Sequence, residues 1–211
     1  MHTEVLRVDT PGTLNRAVAV LRAGGLLAFP TDTVYGIGAD AANDAAVSRL
    51  YQAKLRPAGK AIPLLLGDAT DLDALAQDLP EVTTRLIAAF WPGALTLVIQ
   101  RSAGVSAVVA AGGSTVAVRL PNHPIPRALA RALGGALAVT SANLSGSHEA
   151  VTAAEVLDQL AGRIDLILDG GTCHGGVAST VLDVTTKPPT VVRAGALDAG
   201  LLQRILDRSV H

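Results

Sequence analysis

The densest run of reactive side chains is Phe29-Pro30-Thr31-Asp32-Thr33-Val34-Tyr35. An apolar segment stops at a proline and releases three hydroxyls and a carboxylate, as strand ends in α/β sheets do where they meet ligands. Thr31, Thr33 and Tyr35 alternate, so an extended backbone would set their hydroxyls on one face to read a small polar ligand. A turn that satisfies its own backbone uses the same residue types. Lys54, Arg56 and Lys60 follow on a short Pro/Gly loop, KLRPAGK, in which Pro57 keeps Arg56 extended. Three such cations can converge on phosphates, arginine forking two oxygens and lysine acting as a point charge. The alternative is a solvated basic helix end that complements the helix dipole.

Arg119 closes the apolar run TVAVRLP, which starts at Thr115, and needs an anion from a ligand or from the chain itself. Ser141 and Asn143, in TSANLSG, are short and rigid enough to hydrogen-bond a nucleotide or phosphate, or to cap a helix. No G-x-S-x-G elbow surrounds Ser141, so it reads as a binder and not a nucleophile. Arg193, in VVRAG, is a further isolated cation.

Other motifs fail on spacing. Gly36-Ile37-Gly38-Ala39-Asp40-Ala41 fits G-x-G-x-x-A, but five residues separate it from the preceding strand. Some 20 residues on, where a ribose-binding acid belongs, stand Lys54, Arg56 and Lys60. Gly59-Lys60 lacks the rest of a phosphate-binding loop. Cys173 and His174 are adjacent, so in an extended loop they point apart, and no third group orients them. The five histidines show no metal-ligand spacing.

The elements that must position these residues alternate along the chain. Strands are expected at 4–8, 26–30, 63–66, 94–100, 105–109, 115–120, 136–141, 166–169, 179–184 and 190–193. Helices are expected from Thr10 (N-cap, with Pro11 at the first helical position) to Gly24, and from Asn43 as N-cap to Lys54. Further helices are expected at 80–90, 125–133, 153–160 and 199–206. This is an α/β pattern with a mixed sheet.

Composition agrees. Of 211 residues, 49% are apolar and only 2% aromatic, so the core is aliphatic and suits a buried sheet flanked by helices. The net charge of −1 disfavours a non-specific nucleic-acid coat. Two stretches, 45–67 and 82–148, hold no acid, and together they contain all the cations above except Arg193. We expect them to build an anion-binding surface. A single cysteine, no secretion signal and no apolar run of membrane length lead us to expect a cytoplasmic protein without a membrane segment.

Seven segments in series from residue 29 to 195 (FPTDTVYGIGADA, KLRP with Lys60, FWPGALTLVI, VAVRLP, VTSANLSG, DGG…STVLDV and VVRAG) resemble the YrdC/TsaC family of L-threonylcarbamoyladenylate synthases. The resemblance implies a YrdC-like twisted mixed sheet with flanking helices around a positively charged cavity. It implies a single catalytic domain over 1–211 with no additional C-terminal domain. The activity implied is that of a nucleotidyltransferase joining L-threonine, bicarbonate and ATP (with Mg²⁺) into threonylcarbamoyl-AMP and pyrophosphate. Partner proteins would then move the threonylcarbamoyl group to adenosine 37 of tRNA, with a possible direct tRNA contact. Carried over by position, Lys54 and Arg56 would be catalytic at the ATP phosphates. Thr115, Ser141, Asn143 and Arg193 would bind the nucleotide. Thr33, Tyr35, Lys60, Arg119 and Ser179 would bind threonine. The loop holding Lys60 is longer than the family's. A rival reading is a double-stranded RNA or tRNA-binding module using the same basic cavity, against which the scarcity of stacking aromatics weighs.

Overall fold

The computed structural model describes residues 2–207. Its strands are β1 (Glu4–Arg7), β2 (Leu27–Phe29), β3 (Gly36–Asp40), β4 (Leu64–Leu66), β5 (Leu95–Gln100), β6 (Thr115–Arg119), β7 (Ala136–Ser141), β8 (Leu166–Asp169), β9 (Thr180–Asp183) and β10 (Thr190–Arg193). Its helices are α1 (Thr13–Arg22), α2 (Asp44–Lys54), α3 (Leu72–Leu75), α4 (Glu81–Phe90), α5 (Pro124–Ala132), α6 (Ala153–Leu160) and α7 (Ala199–Asp207). All ten strands join one twisted mixed sheet in the order β1-β8-β2-β3-β7-β4-β6-β5-β9-β10. β1–β8, β2–β8, β4–β6 and β5–β9 pair in parallel, and the remaining neighbours are antiparallel. The expected α/β architecture is observed.

The two faces of the sheet are covered unequally, and that inequality makes the site. One face sends Ile37, Leu64, Ala138, Leu97, Val118 and Leu182 into an aliphatic core with residues of α2, α4, α6 and α7. The opposite face sends Leu27, Leu65, Leu137, Val139 and Leu168 into a smaller core beneath α1 and α5. Those two helices cover only the β1-to-β4 half. On β6, Thr115 and Ala117 share a face with Arg119 because strand side chains alternate. Thr115, Ala117 and their neighbours Val98 and Gln100 on β5 stay half-buried, with no helix above them.

Several boundaries differ from the sequence reading. Helix α1 begins at Thr13 behind Gly12 (φ 84°), not at Thr10. Thr10 instead closes turns with Arg7 and Thr13. Residues 105–109 are not a strand: Val105 and Val109 are buried, but the backbone turns, and Val109 O accepts from Ile62 N at 2.9 Å. Their apolar side chains anchor a loop in the core, which a short apolar run does not distinguish from a strand. The glycine-rich segment is strand β3 in mid-sheet. A Cβ at Gly36 would stand 2.9 Å from Val139 Cγ1 and 3.3 Å from the Phe29 ring, so that glycine serves close packing in the sheet. Asn43 caps α2 as expected, accepting from Ala46 N at 3.0 Å.

Candidate active site

Where the cover of α1 and α5 stops, the sheet and the loops at its strand ends enclose an open hollow of about 600 Å³, mouth included. Of the residues expected at a site, Thr33, Tyr35, Arg119, Ser141, Ser179 and Arg193 line it. They come from five separate stretches of chain, which the sheet order brings together.

Arg119 organises one wall. It is buried at the end of β6, and its guanidinium donates three ways: Nε to Gly93 O at 2.8 Å, Nη1 to Thr33 Oγ1 at 3.0 Å and Nη2 to Asp32 Oδ1 at 2.6 Å. The anion that Arg119 required is therefore supplied by Asp32, its partner in a buried ion pair. A hydroxyl relay continues from it. Thr31 Oγ1 donates to Val34 O at 2.7 Å, so in the 3.0 Å contact between the two threonines Thr33 must be the donor. Thr33 thus gives its proton to Thr31, accepts from Arg119 and keeps one lone pair for a ligand. Residues 31–35 form a bend and not an extended strand. Tyr35 accordingly parts from the two threonines: its hydroxyl donates to Gly171 O at 2.8 Å and accepts from Gly170 N. Burial pushes that phenol up to about 12.

The facing wall comes from β9 and β10. Ser179 Oγ lies 2.7 Å from Thr96 Oγ1. Arg193 Nη2 donates to Ser179 O at 2.8 Å and to Ser179 Oγ at 3.3 Å. A bulge in β10 places Arg193 opposite Val181, directly after the pair Val191–Leu182. Without the extra residue Val192 would stand there, so the bulge re-aims the arginine onto the hollow face. Gly195 then lets the chain lie against residues 178–180, where a Cβ would come within 2.4 Å of Ala178 O.

The remaining expected residues lie around the hollow without lining it. Lys54 is buried, its ammonium bonded to the carbonyl oxygens of Ser141 and Asn143 and to Asn143 Oδ1. Burial first, then the charge of Arg56, pushes that ammonium down to about 7, while Glu149 acts in the opposite sense. Asn143 is buried, accepting from Ser141 Oγ at 2.6 Å and donating to Ser147 O. Arg56 folds back on its own loop, donating to Lys60 O and Ala61 O, with Lys60 exposed on that loop. Burial lowers the Arg56 pKa and the nearby charge of Arg193 lowers it further. Thr115 stands at the far end of β6, four residues or about 13 Å from Arg119 on the same bare face.

Sequence reasoning missed Thr96 and Glu149, both of which line the hollow. Thr96 was detectable as the one polar residue between Leu95 and Leu97, on the opposite face from both. Glu149 ends the second acid-free stretch and left no motif. Several cations of those stretches serve the fold instead: Arg49 pairs with Asp165, and Arg127 and Arg131 both pair with Asp68. Cys173 is buried while its neighbour His174 is exposed, so the two side chains form no dyad. Among the described residues no helix is long and apolar enough to cross a membrane.

Comparison with known proteins places this geometry. Residues 19–195 match the model of the Sua5/YciO/YrdC family, described as "Telomere recombination". The threonylcarbamoyl-AMP synthase of Pyrococcus abyssi is 40% identical over 190 residues, covering 90% of this chain and 56% of that protein. That of Bacillus subtilis is 40% identical over 205 residues, covering 97% and 59%. The crystal structure of P. abyssi Sua5 complexed with L-threonine superposes with a TM-score of 0.91 at 37% identity, covering 97% of this chain and 61% of that one. The chain therefore spans less than two thirds of the length of these relatives. It belongs to the Sua5/YciO/YrdC family.

Proposed function

We propose that this chain is a nucleotidyltransferase that forms L-threonylcarbamoyl-AMP and pyrophosphate from L-threonine, bicarbonate and ATP, the first step of threonylcarbamoyladenosine formation in tRNA. The observation that carries the reading is the convergence of Thr33–Arg119–Asp32 and Ser179–Arg193 on one hollow that also holds Ser141. Its fold matches a relative whose structure holds L-threonine.

The chemistry suits a site without a nucleophilic side chain. The threonine amine and bicarbonate combine to a carbamate with loss of water. A carbamate oxygen then attacks the α-phosphorus, and the bond to the pyrophosphate leaving group breaks. The attacking group is already anionic, so the protein's task is to align it and offset accumulating negative charge. Thr33 offers its free lone pair to a donor of the amino acid. Arg193 and Arg56 supply positive charge on the nucleotide side, where the bare face running toward Thr115 has the length for an extended nucleotide.

Mg²⁺ entering with ATP would offset phosphate charge. The described residues contain no group of three or more His, Cys, Asp or Glu side chains that would cage a metal. The hollow offers it one carboxylate, Glu149, beside hydroxyls, which fits an ion carried mainly by triphosphate oxygens and water. Transfer of the threonylcarbamoyl group to tRNA by partner proteins, and a cytoplasmic setting, belong to the same proposal.

The test is mass spectrometry of the product formed from ATP, bicarbonate and threonine, with pyrophosphate release measured in parallel. Threonylcarbamoyl-AMP that appears only when all three are present supports the reading. Salt-sensitive RNA binding without threonine-dependent pyrophosphate release would instead favour the RNA-binding module.

A further inference from the structure

Lys54 has no place on the wall of the hollow, yet it is bonded to that wall from behind. It is the last residue of α2, and Leu55 follows in the left-handed region at φ 53°. Lys54 points inward because it falls on the buried stripe of α2 with Val47 and Leu50, whereas Leu55, past the reversal, is exposed. The three N–H donors of the ammonium meet three oxygens, the carbonyls of Ser141 and Asn143 and the Asn143 side chain. The stitching also runs in reverse, because Ser145 N donates to Lys54 O at 3.0 Å. Ser141 Oγ and Ser147 O are in turn tied through Asn143 at 2.6 and 2.7 Å.

The 141–147 segment is thus gathered on one buried cation, beside the bonds of Ala142 N to Tyr35 O and Leu144 N to Gln159 Oε1, and its first residue lines the hollow. An apolar side chain of similar length would fill the same space without the desolvation cost of a charge. The charged groups facing the ammonium are Arg56, which disfavours it, and Glu149, which favours it. To donate to a ligand phosphate the ammonium would have to give up at least one of these three acceptors, leaving it unpaired in the interior.

We infer that Lys54 is a positioning residue: from behind the wall it fixes Ser141 and the 141–147 segment in the shape that receives the nucleotide, without itself touching the nucleotide. The nucleotide half of this inference rests on the function proposed above, whereas the positioning half concerns the ligand-free chain alone.

Two measurements separate the halves. Hydrogen exchange on the ligand-free protein at pH 6.5 compares the parent with Lys54→Met and Lys54→Arg. Positioning predicts at least tenfold faster exchange at residues 142–147 in Lys54→Met, unchanged exchange in β1 and β8, and partial recovery in Lys54→Arg. Equal protection of 142–147 in parent and Lys54→Met overturns it. Calorimetry of ATP binding then compares Lys54→Met, Ser141→Ala and the double variant. If Lys54 acts through the segment, the double variant binds within about twofold of the weaker single variant. Losses that multiply mean an independent contact and overturn the inference.

Should Lys54→Met fail to fold, amine acylation of the parent decides. Lys54 should react at least tenfold more slowly than Lys60 both with and without ATP, whereas a reactive Lys54 that ATP protects contradicts the inference. Absence of any ATP binding would refute the nucleotide reading and leave the exchange result to judge the positioning.

Discussion

Arg119 shows how much one side chain can hold when its geometry is a fork. Its three donors fix Gly93, Thr33 and Asp32 at once, and no lysine can reproduce that from a single nitrogen. Arg119→Lys should therefore weaken threonine binding by more than tenfold in calorimetry while the chain still folds. Thr33→Val removes the remaining acceptor and breaks the relay, with an expected loss of about 2 kcal/mol in threonine binding and a far smaller one for ATP. The reverse order would discard the threonine assignment. At Lys54 the pKa lies near 7 in the folded chain against 10.5 in the unfolded one, so between those values the unfolded chain binds more protons. Its contribution to stability accordingly rises with pH from about 7 to about 10.5 and is lost as pH falls back through that window. Urea midpoints from pH 7 to 9 should rise more steeply in the parent than in Lys54→Met.

The residues of this wall were legible because arginine at the end of an apolar strand demands an anion. Which anion was not legible, since Asp32 meets Arg119 across 87 positions of sequence.

Elements with a clear period were readable, and those whose logic is packing were not. β5, β6, β7 and β8 announce themselves as apolar runs between turn residues, and α2 by its Asn43 cap. Strand β3 escaped because its glycines suggest a loop; the closeness of Phe29 and Val139 that requires them exists only once β2 and β7 flank it. Gly36→Ala should cost about 1–3 kcal/mol in chemical denaturation, because its Cβ overpacks a filled sheet. No cost would mean that β2 and β7 yield more readily than the close contacts imply. The β10 bulge escaped for a related reason: VVR carries no mark of an extra residue, and only pairing with β9 reveals which side chain faces inward.

For the whole molecule, the deciding feature is a large sheet with one face covered except at its edge strands and the other covered only over its β1-to-β4 half. The aliphatic composition foretold a buried sheet, but not where its cover ends. That edge is where the hydroxyl and arginine residues gather, and the bare β6–β5–β9 face beyond it offers room for a nucleotide reaching toward Thr115. The acid-free stretches contribute to the site in part and to the fold in part, since Arg49, Arg127 and Arg131 are tied to Asp165 and Asp68. If amino acid and triphosphate share this one hollow, each should shape the other's binding. The most direct measurement is pyrophosphate release from ATP with bicarbonate, in the presence of threonine or of valine, by the parent and by Arg193→Ala. Release that requires threonine, is at least tenfold lower with valine and falls at least tenfold in Arg193→Ala is the predicted result. Release indifferent to the amino acid, or unchanged in Arg193→Ala, would contradict a shared hollow.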